Sequence, residues 1–459
     1  MREKLTSRLG FILLSAGVAV GLGNVWRFPS AVGQNGGGWF VALHLVFLAL
    51  IGLPILFMEF GTGRAAKRSI ARLHETLTPR RRLWRLHGIA GFLGSIVLLM
   101  FCTTLTGWMF IYLVRMANGA FVGLDAAAVS AAFDGLRSDP RSMVTAMLAV
   151  TAVTTLVGMC GLQKGAVRVA MWLMPCLLVM IAALAVHSIR LDARLNDFAG
   201  LKFYLIPDYP RVEAIGPIPV LIEAMNQSFC TLSIGIGAMS VFGSYIGQER
   251  KVFGGALAVW LIATFVALAV GAVVVPACFA CGVDLKQGTG LIFATLPSLF
   301  NSLPSGQFWG TLFFAFLSGA SLMAVIAVFE NILACLMDYF GWSRRRAGLV
   351  AGVALAVLAL PCILGFGVWR GFHPFGANSS VLDLEDFLVS SLFLPLGSMA
   401  FACYCCHHYG WSWGKLRLEA NTGRGLRFPT GPVRVYCTYV LPILIFVIFF
   451  LGLLDKFVK

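Results

Sequence analysis

Charged residues are scarce in this sequence of 459 residues. They make up 12% of the chain, whereas 59% of the residues are hydrophobic. A soluble protein of this length needs more charge to cover its surface, so the composition excludes a soluble multidomain protein. The net charge of +15 would suit nucleic acid, but the basic residues stand in short segments between apolar runs. That pattern reflects membrane topology, and no nucleic-acid partner is expected.

Long polar stretches are missing as well, because apolar runs of about 20 residues, long enough to cross a bilayer as helices, recur along the whole chain. Eleven spans are predicted, at 9–34, 39–62, 89–116, 142–160, 168–187, 217–246, 252–281, 307–338, 347–368, 385–408 and 433–455. The first span lacks a small-residue cleavage site and is expected to remain in the protein. We therefore expect one all-α polytopic domain, spanning the chain and embedded in the lipid bilayer.

Enzyme motifs are absent from the sequence. Metal-hydrolase, phosphate-loop and nucleophile-elbow patterns do not occur in their required contexts. No enzymatic activity is therefore expected, and the polar residues inside the apolar spans become the candidates for function.

Two of the predicted spans are interrupted near their middle. The first contains glycines together with Asn24 and Arg27, and the sixth contains polar residues and glycines over 227–237. Such residues inside a membrane indicate helices that unwind and resume, since the freed backbone groups need a compensating site. The breaks lie five spans apart, which predicts two repeats of five spans, at about 8–187 and 217–409, with an additional helix at about 433–455. Close packing through glycine is the alternative, but it does not explain Asn24 and Arg27.

Short motifs around these breaks carry a resemblance to a known family. They are Arg8-Leu9-Gly10, Gly21-Leu22-Gly23-Asn24, Arg27-Phe28-Pro29 and Asn35-Gly36-Gly37-Gly38, supported by Gly52-Leu53-Pro54 with Glu59 and by Leu382-Asp383 with Asp386. Together they resemble the signature of the neurotransmitter:sodium symporters. The resemblance implies an inverted repeat with the leucine-transporter fold and secondary active transport of a small organic solute, an amino acid or derivative, by alternating access. It also implies a bacterial inner (plasma) membrane, with the N-terminus cytoplasmic and the C-terminus periplasmic or extracellular.

The resemblance also implies the residues of the site. Those matching the family's substrate site are Val18, Ala19, Gly21, Leu22, Gly23, Leu98, Cys102, Cys230, Thr231, Ser233, Ile236, Ala324 and Val328. Arg27 with Asp386 match an extracellular gate, and Arg2 with Asp338, beside Tyr245, match a cytoplasmic gate. Cys102 and Cys230 replace a tyrosine and a phenylalanine of relatives, which predicts a larger pocket with one hydroxyl donor fewer.

The ion sites depart from the family pattern. Sodium prefers hard oxygen ligands, which the family supplies at two sites. Site one matches Ala19, Asn24, Thr231 and Ala263, and site two matches Gly17, Val20, Ala320, Met323 and Ala324. Alanine at 263 removes an amide, and a thioether and a methyl group replace the two hydroxyls of site two. Sodium coupling is therefore expected at one site only, weakened or replaced; chloride binding stays open, and no other cofactor is expected.

Three further interpretations remain open at this point. His44, near Gln227, falls in the chloride region of relatives and is a candidate for carrying a proton or an anion. The soft side chains Cys102, Cys230, Met323, Cys403, Cys406 and His407 would suit a soft metal, a metal complex or a sulfur or selenium compound. A non-transporting sensor with the same fold is the last alternative.

Overall fold

The computed structural model describes residues 5, 7–21, 23–283, 285, 290–301, 303, 305–376, 379–429 and 431–457, which form helices and no β-strand. The helices are α1 Arg8–Ala19, α2 Gly23–Gln34, α3 Gly38–Ala66, α4 Ile70–Leu77, α5 Trp84–Ala117, α6 Ala126–Arg137, α7 Pro140–Met159, α8 Leu162–Asn196, α9 Ala199–Leu205, α10 Tyr209–Ile215, α11 Pro217–Leu232, α12 Ala238–Ser244, α13 Phe253–Ala280, α14 Leu291–Asn301, α15 Gly306–Phe340, α16 Arg344–Leu364, α17 Val381–Cys406, α18 Trp413–Ala420 and α19 Gly431–Phe457.

Within the described part of the chain, nine helices are long and apolar enough to cross a membrane, namely α3, α5, α7, α8, α13, α15, α16, α17 and α19. Helices α1 and α2 form a tenth span if the pair, bent by 49°, is counted as one. The prediction of an all-α membrane protein is confirmed. The number of eleven spans stays a prediction, because the sixth predicted span is divided into α11 and α12, and neither half is long enough alone.

The break between α11 and α12 is fixed by backbone conformation and by a buried acid. Ser233 ends α11 with φ of 49°, and Gly235 follows with φ of 100°. A Cβ atom at 235 would stand 2.3 Å from the carbonyl oxygen of Leu394, so glycine is required there. The buried Glu59 of α3 accepts hydrogen bonds from the amides of Gly235 (2.5 Å) and Ser240 (3.3 Å). These contacts satisfy backbone donors that the break leaves free.

Helix α15 lies against the break between α1 and α2. The glycines of α1 permit this approach, since a Cβ atom at Gly17 would stand 2.7 Å from the side chain of Met323. One at Gly21 would stand 2.6 Å from the Cβ atom of Ala324. The register of α15 therefore places residues 323 and 324 directly opposite the first broken helix.

Hydrogen-bonded polar groups lie near the ends of two spans. In α4, which lies outside the apolar spans, Nε2 of His74 is 2.9 Å from Nδ1 of His87 in α5. Burial and the neighbouring imidazole lower the pKa of His74 well below its ordinary value. At α7, Asp139 caps the first turn and accepts from the Ser142 hydroxyl at 2.5 Å, which lowers the pKa of that carboxyl.

Candidate functional site

A small cavity of about 50 Å³ lies where the broken helices meet α5, α15 and α17. Nine predicted substrate residues line it, namely Val18, Gly21, Gly23, Leu98, Cys102, Cys230, Ser233, Ala324 and Val328. Ala19, Thr231 and Ile236 are buried but are not among its lining residues, and Leu22 lies outside the described residues. The cavity is mainly apolar, so it suits a small solute with an apolar side chain.

Further lining residues were not predicted. They are Trp26, Leu99, Phe101, Val325, Val389, Ser390 and Leu394. The predicted gate residues Arg27 and Asp386 also line the cavity, at its rim. Leu99, Phe101 and Val325 are direct neighbours of predicted substrate residues, and which of two adjacent apolar residues faces a cavity depends on helix rotation. The sequence pattern does not determine that rotation here, because these spans are apolar on every side.

Arg27 stands between the small cavity and a larger one of about 870 Å³, which we call the vestibule. Its guanidinium pairs with Asp386 at 3.2 Å and with Glu223 at 3.1 Å. Nη1 of Arg27 also lies 3.8 Å from Sγ of Cys230, a cavity-lining thiol. The predicted ion pair is therefore formed, and one guanidinium is shared by two carboxylates.

Glu223 was missed by the sequence analysis. It lies in α11, one turn before Gln227, and it binds Arg27 through two hydrogen bonds of 3.1 and 3.3 Å. A charged residue within a predicted span is a signal that a partner is near. The vestibule also contains Asp383, Asp455 and Lys456, so acidic side chains outnumber basic ones. Such a surface attracts cations.

The polar groups of predicted ion site one come together. The side-chain amide of Asn24 donates to the carbonyl oxygens of Ala19 (2.6 Å) and Thr231 (3.4 Å), while Nε2 of Gln227 donates to Gly23 (2.8 Å). Oδ1 of Asn24 is buried and has no hydrogen-bonding partner among the described residues. Ala263 is fully buried and supplies only a methyl group. A buried orphan oxygen beside carbonyl and hydroxyl oxygens fits a small hard cation.

Predicted ion site two has a different character. The Met323 side chain fills the space beside Gly17, and the Ala324 methyl group faces Gly21. Both residues are buried in α15. The nearby Ser321 hydroxyl donates to the carbonyl of Ser318 in its own helix at 3.1 Å. A thioether is a soft group and a poor ligand for sodium, so this position does not offer the oxygen set that the ion prefers.

At the opposite end of the bundle, Tyr245 belongs to a buried polar network. Its hydroxyl donates to Oε1 of Glu330 at 2.8 Å, and Glu330 pairs with Arg344 at 2.7 Å. Asp338 lies nearby in the same helix and pairs with Arg68 at 3.2 Å. The predicted partner Arg2 lies outside the described residues. Glu330 and Arg344 were missed, although Glu330 stands within a predicted apolar span.

His44 is buried against aromatic rings in α3. Its ring centroid is 5.1 Å from that of Phe28 and 6.4 Å from that of Phe40. The Ser228 hydroxyl of α11 donates to Ala224 at 2.9 Å and approaches the His44 carbonyl at 3.5 Å. The role of His44 in proton or anion binding stays a prediction.

The soft-metal interpretation finds no support. Among the described residues, no group of three or more His, Cys, Asp or Glu side chains is arranged to hold a metal ion. The predicted ligands are distributed between two places: Cys102, Cys230 and Met323 surround the central cavity region, whereas Cys403, Cys406 and His407 lie at the end of α17. Cys405 and Cys406 are buried there and pack as small apolar side chains.

Comparison with known proteins places this geometry in a family context. The profile of the Sodium:neurotransmitter symporter family matches residues 2–121 and 134–384. The uncharacterized sodium-dependent transporter YhdH of Bacillus subtilis is 32% identical over 87% of this chain and 86% of its own length. An uncharacterized sodium-dependent transporter of Haemophilus influenzae is 26% identical over 88% of each chain.

A solved structure agrees with the fold. The crystal structure of MhsT in complex with L-phenylalanine superimposes with a TM-score of 0.89 at 33% identity, covering 98% of this chain and 100% of that one. The segments that the profile matches include both broken helices, Arg27 with Glu223 and the Tyr245 network, and they end two residues before Asp386. The chain is a membrane transporter that belongs to the sodium:neurotransmitter symporter family.

Proposed function

We propose that this protein is a symporter of an apolar amino acid or a close derivative, driven by a single sodium ion bound at site one. The observation that carries the proposal is the cavity itself. It is apolar, it is bounded by Arg27, and it lies beside the oxygens of Ala19, Asn24 and Thr231. The first broken helix thus presents a place for the solute and a place for the ion side by side.

The substrate class follows from the lining. Leu98, Val325 and Val328 supply apolar walls, and the thiols of Cys102 and Cys230 occupy little volume. Helix α2 begins at Gly23, which lines the cavity, and the N-terminus of a helix suits a carboxylate. The relative MhsT holds L-phenylalanine, and we propose that L-phenylalanine or another large apolar amino acid is accepted here.

The two ends of the bundle would act as gates. We propose that the Arg27 end faces the outside of a bacterial inner membrane and the Tyr245 end faces the cytoplasm. The Arg27 pairs close the outer side, and the pairs of Tyr245, Glu330 and Asp338 close the inner side. Opening one set while the other is closed gives alternating access, with the two repeats, 8–187 and 217–409, moving relative to each other.

The ion stoichiometry provides the test. Purified protein in proteoliposomes is assayed for uptake of labelled L-phenylalanine over a range of sodium concentrations. The wild type is expected to show a hyperbolic dependence on sodium, because one ion is bound. The double variant Met323→Thr with Ala324→Ser restores two hydroxyl ligands and is expected to give a steeper, sigmoidal dependence.

The matched control is Met323→Leu, which removes the thioether without adding an oxygen ligand. It should keep the hyperbolic curve of the wild type. A sigmoidal curve in the wild type would show two coupled ions and contradict the proposal. Uptake that does not depend on sodium would contradict it as well, as would failure of a panel of apolar amino acids to be transported at all.

A further inference from the structure

Glu385 is a buried acid that the transport scheme above does not use. It lies in α17, next to the gate residue Asp386, and is 4% exposed. Neither of its carboxyl oxygens has an N–H or O–H donor within hydrogen-bonding distance among the described residues. Buried carboxylates are ordinarily paired or hydrogen-bonded, so an acid in this state needs an explanation.

Within the described part of the chain, the groups that interact with Glu385 do not include a cation. From α16 the thiol of Cys362 is a weak hydrogen-bonding partner of Glu385, and from α5 the thiol of Cys102 faces it. Along its own helix the nearest charged group is Asp386, which pairs with Arg27. The ionisable groups that face Glu385 are therefore thiols and another acid.

The cation at the gate is already shared. Arg27 carries one positive charge, and its two partners Glu223 and Asp386 carry two negative charges. These three groups thus have a net charge of −1, and the charges of Asp383 and Lys456, which also interact with Asp386, cancel each other. Ionisation of Glu385 beside these groups would add a second unbalanced negative charge in a region of low dielectric, where an unpaired ion is costly. The neutral acid is the form that fits the closed gate.

Glu385 is also close to the transported solute. Val389, one helical turn further along α17, lines the central cavity, and so does Cys102. The cavity and the vestibule meet at Asp386, the residue that follows Glu385. Water admitted by either gate therefore approaches this acid, and the proton on it can exchange with each side in turn.

We propose that Glu385 is a proton-binding site that couples a proton to the transport cycle. When the gate at the Arg27 end is open, water stabilises the carboxylate. As the gate closes and water leaves, the carboxylate takes up one proton that comes from the outside and becomes the neutral carboxylic acid. After the Tyr245 end has opened, water enters the cavity from that side and stabilises the carboxylate again, so the proton is released there. One proton thus enters with each solute, in place of the second sodium ion that Met323 excludes. This inference rests on the transport function proposed above.

The first test does not depend on a substrate. Infrared spectra of the purified full chain in lipid nanodiscs are recorded at pH 7 for the wild type, for Glu385→Gln and for Glu213→Gln. The spectrum of each variant is compared with that of the wild type. The control residue Glu213 is an exposed acid in α10. We expect a carbonyl band of a protonated carboxylic acid that is lost in Glu385→Gln and kept in Glu213→Gln. A band unchanged by Glu385→Gln would overturn the proposal, because Glu385 would then be ionised.

The second test measures coupling with L-phenylalanine as the probe. Proteoliposomes with equal sodium on both sides receive an inward proton gradient at zero membrane potential. One coupled proton raises the steady-state accumulation about tenfold per pH unit. The wild type and Glu213→Gln should show this increase, and Glu385→Gln should show none while it keeps sodium-driven uptake.

The outcomes separate the two proposals. An equal response to the proton gradient in wild type and Glu385→Gln, or no response in the wild type, overturns the role of Glu385. Should Glu385→Gln fail to fold, the wild-type measurement alone still decides whether a proton is coupled. Absence of any uptake in the wild type refutes the transport proposal instead, and the infrared spectrum then decides separately whether Glu385 holds a proton.

Discussion

Replacing Glu223 by glutamine tests whether this residue helps to close the gate. Glutamine keeps the shape of the side chain and one acceptor oxygen, but it removes the negative charge that faces Arg27. The second carboxylate, Asp386, remains in place. We therefore expect the gate to open more often in Glu223→Gln without losing its remaining pair.

The magnitude follows from the burial of the pair. The side chains of Arg27 and Glu223 are 18% and 25% exposed. An exposed ion pair contributes about 0–1 kcal/mol, whereas hydrogen bonds to charged groups contribute about 1.5–3 kcal/mol when buried. A half-buried pair with two hydrogen bonds lies between these limits, at about 1–2 kcal/mol. The ratio of closed to open states should fall about 5- to 30-fold.

Two native thiols below the gate report its opening. Cys102 and Cys230 line the cavity beneath Arg27, so a membrane-impermeant thiol reagent reaches them from the outside only through an open gate. Site-resolved mass spectrometry measures the labelling rate at each thiol. Both rates should rise by the same factor in Glu223→Gln and stay at the wild-type value in Glu213→Gln.

Three results would count against the predicted role of Glu223 in closing the gate. Unchanged labelling in Glu223→Gln would show that its pair with Arg27 does not hold the gate closed. An equal increase in the control would show a general loss of structure. An increase at Cys230 alone would indicate a local change in thiol reactivity next to Arg27, because opening exposes both thiols.

Further predictions concern the broken helix, the inner network and acid stability. Gly235→Ala should lower the melting temperature, since the positive φ and the close carbonyl of Leu394 cost about 1–3 kcal/mol in strain. The control Gly414→Ala should leave the melting temperature unchanged, because a Cβ atom at 414 meets open space. Tyr245→Phe removes a hydrogen bond to a buried carboxylate worth about 1.5–3 kcal/mol, so amide hydrogen exchange in α12 should become faster. The lowered pKa of His74 means that only the unfolded chain gains a proton as the pH falls below 6.5, so stability present above that pH is lost below it. Thermal unfolding of His74→Gln should be less sensitive to acid than that of wild type or of the exposed control His408→Gln, and equal sensitivity would contradict the prediction.

The parts of the fold that could be predicted are those that the bilayer imposes. Apolar runs of membrane length predict helices because no other structure satisfies the backbone in lipid. The two breaks could be predicted for the same reason, since glycines together with polar residues, such as Asn24 and Arg27 in the first span, are unfavourable in an uninterrupted membrane helix. The count of spans was harder, because a broken helix such as α11 with α12 is shorter on each side than the membrane is thick.

The parts of the site that could be predicted are those in which charged residues belong to recognisable motifs. Arg27 and Asp386 could be paired from their motifs, and the structure places them 3.2 Å apart. Glu223 and Glu385 were not found, although both are acids in apolar surroundings. Their partners, or lack of partners, depend on how α11 and α17 rotate against their neighbours. That rotation is set by packing of the whole bundle, which a single sequence does not reveal.

At position 323 the structure determines a helix register that the sequence alone leaves open. The sequence indicates only that a thioether stands where a hydroxyl is expected, with serines at 318 and 321 in the same predicted span. The structure fixes the register, since the Met323 side chain lies directly against Gly17. The hydroxyl of Ser321 is turned to its own helix.

The number of sodium ions bound by each chain tests the central claim most directly. Binding of radioactive sodium to the purified protein, measured at saturating L-phenylalanine, should give one ion per chain. Asn24→Ala should abolish that binding, because it removes the orphan oxygen of site one. Two ions per chain would contradict the claim that Met323 closes the second site, and none would contradict sodium coupling altogether.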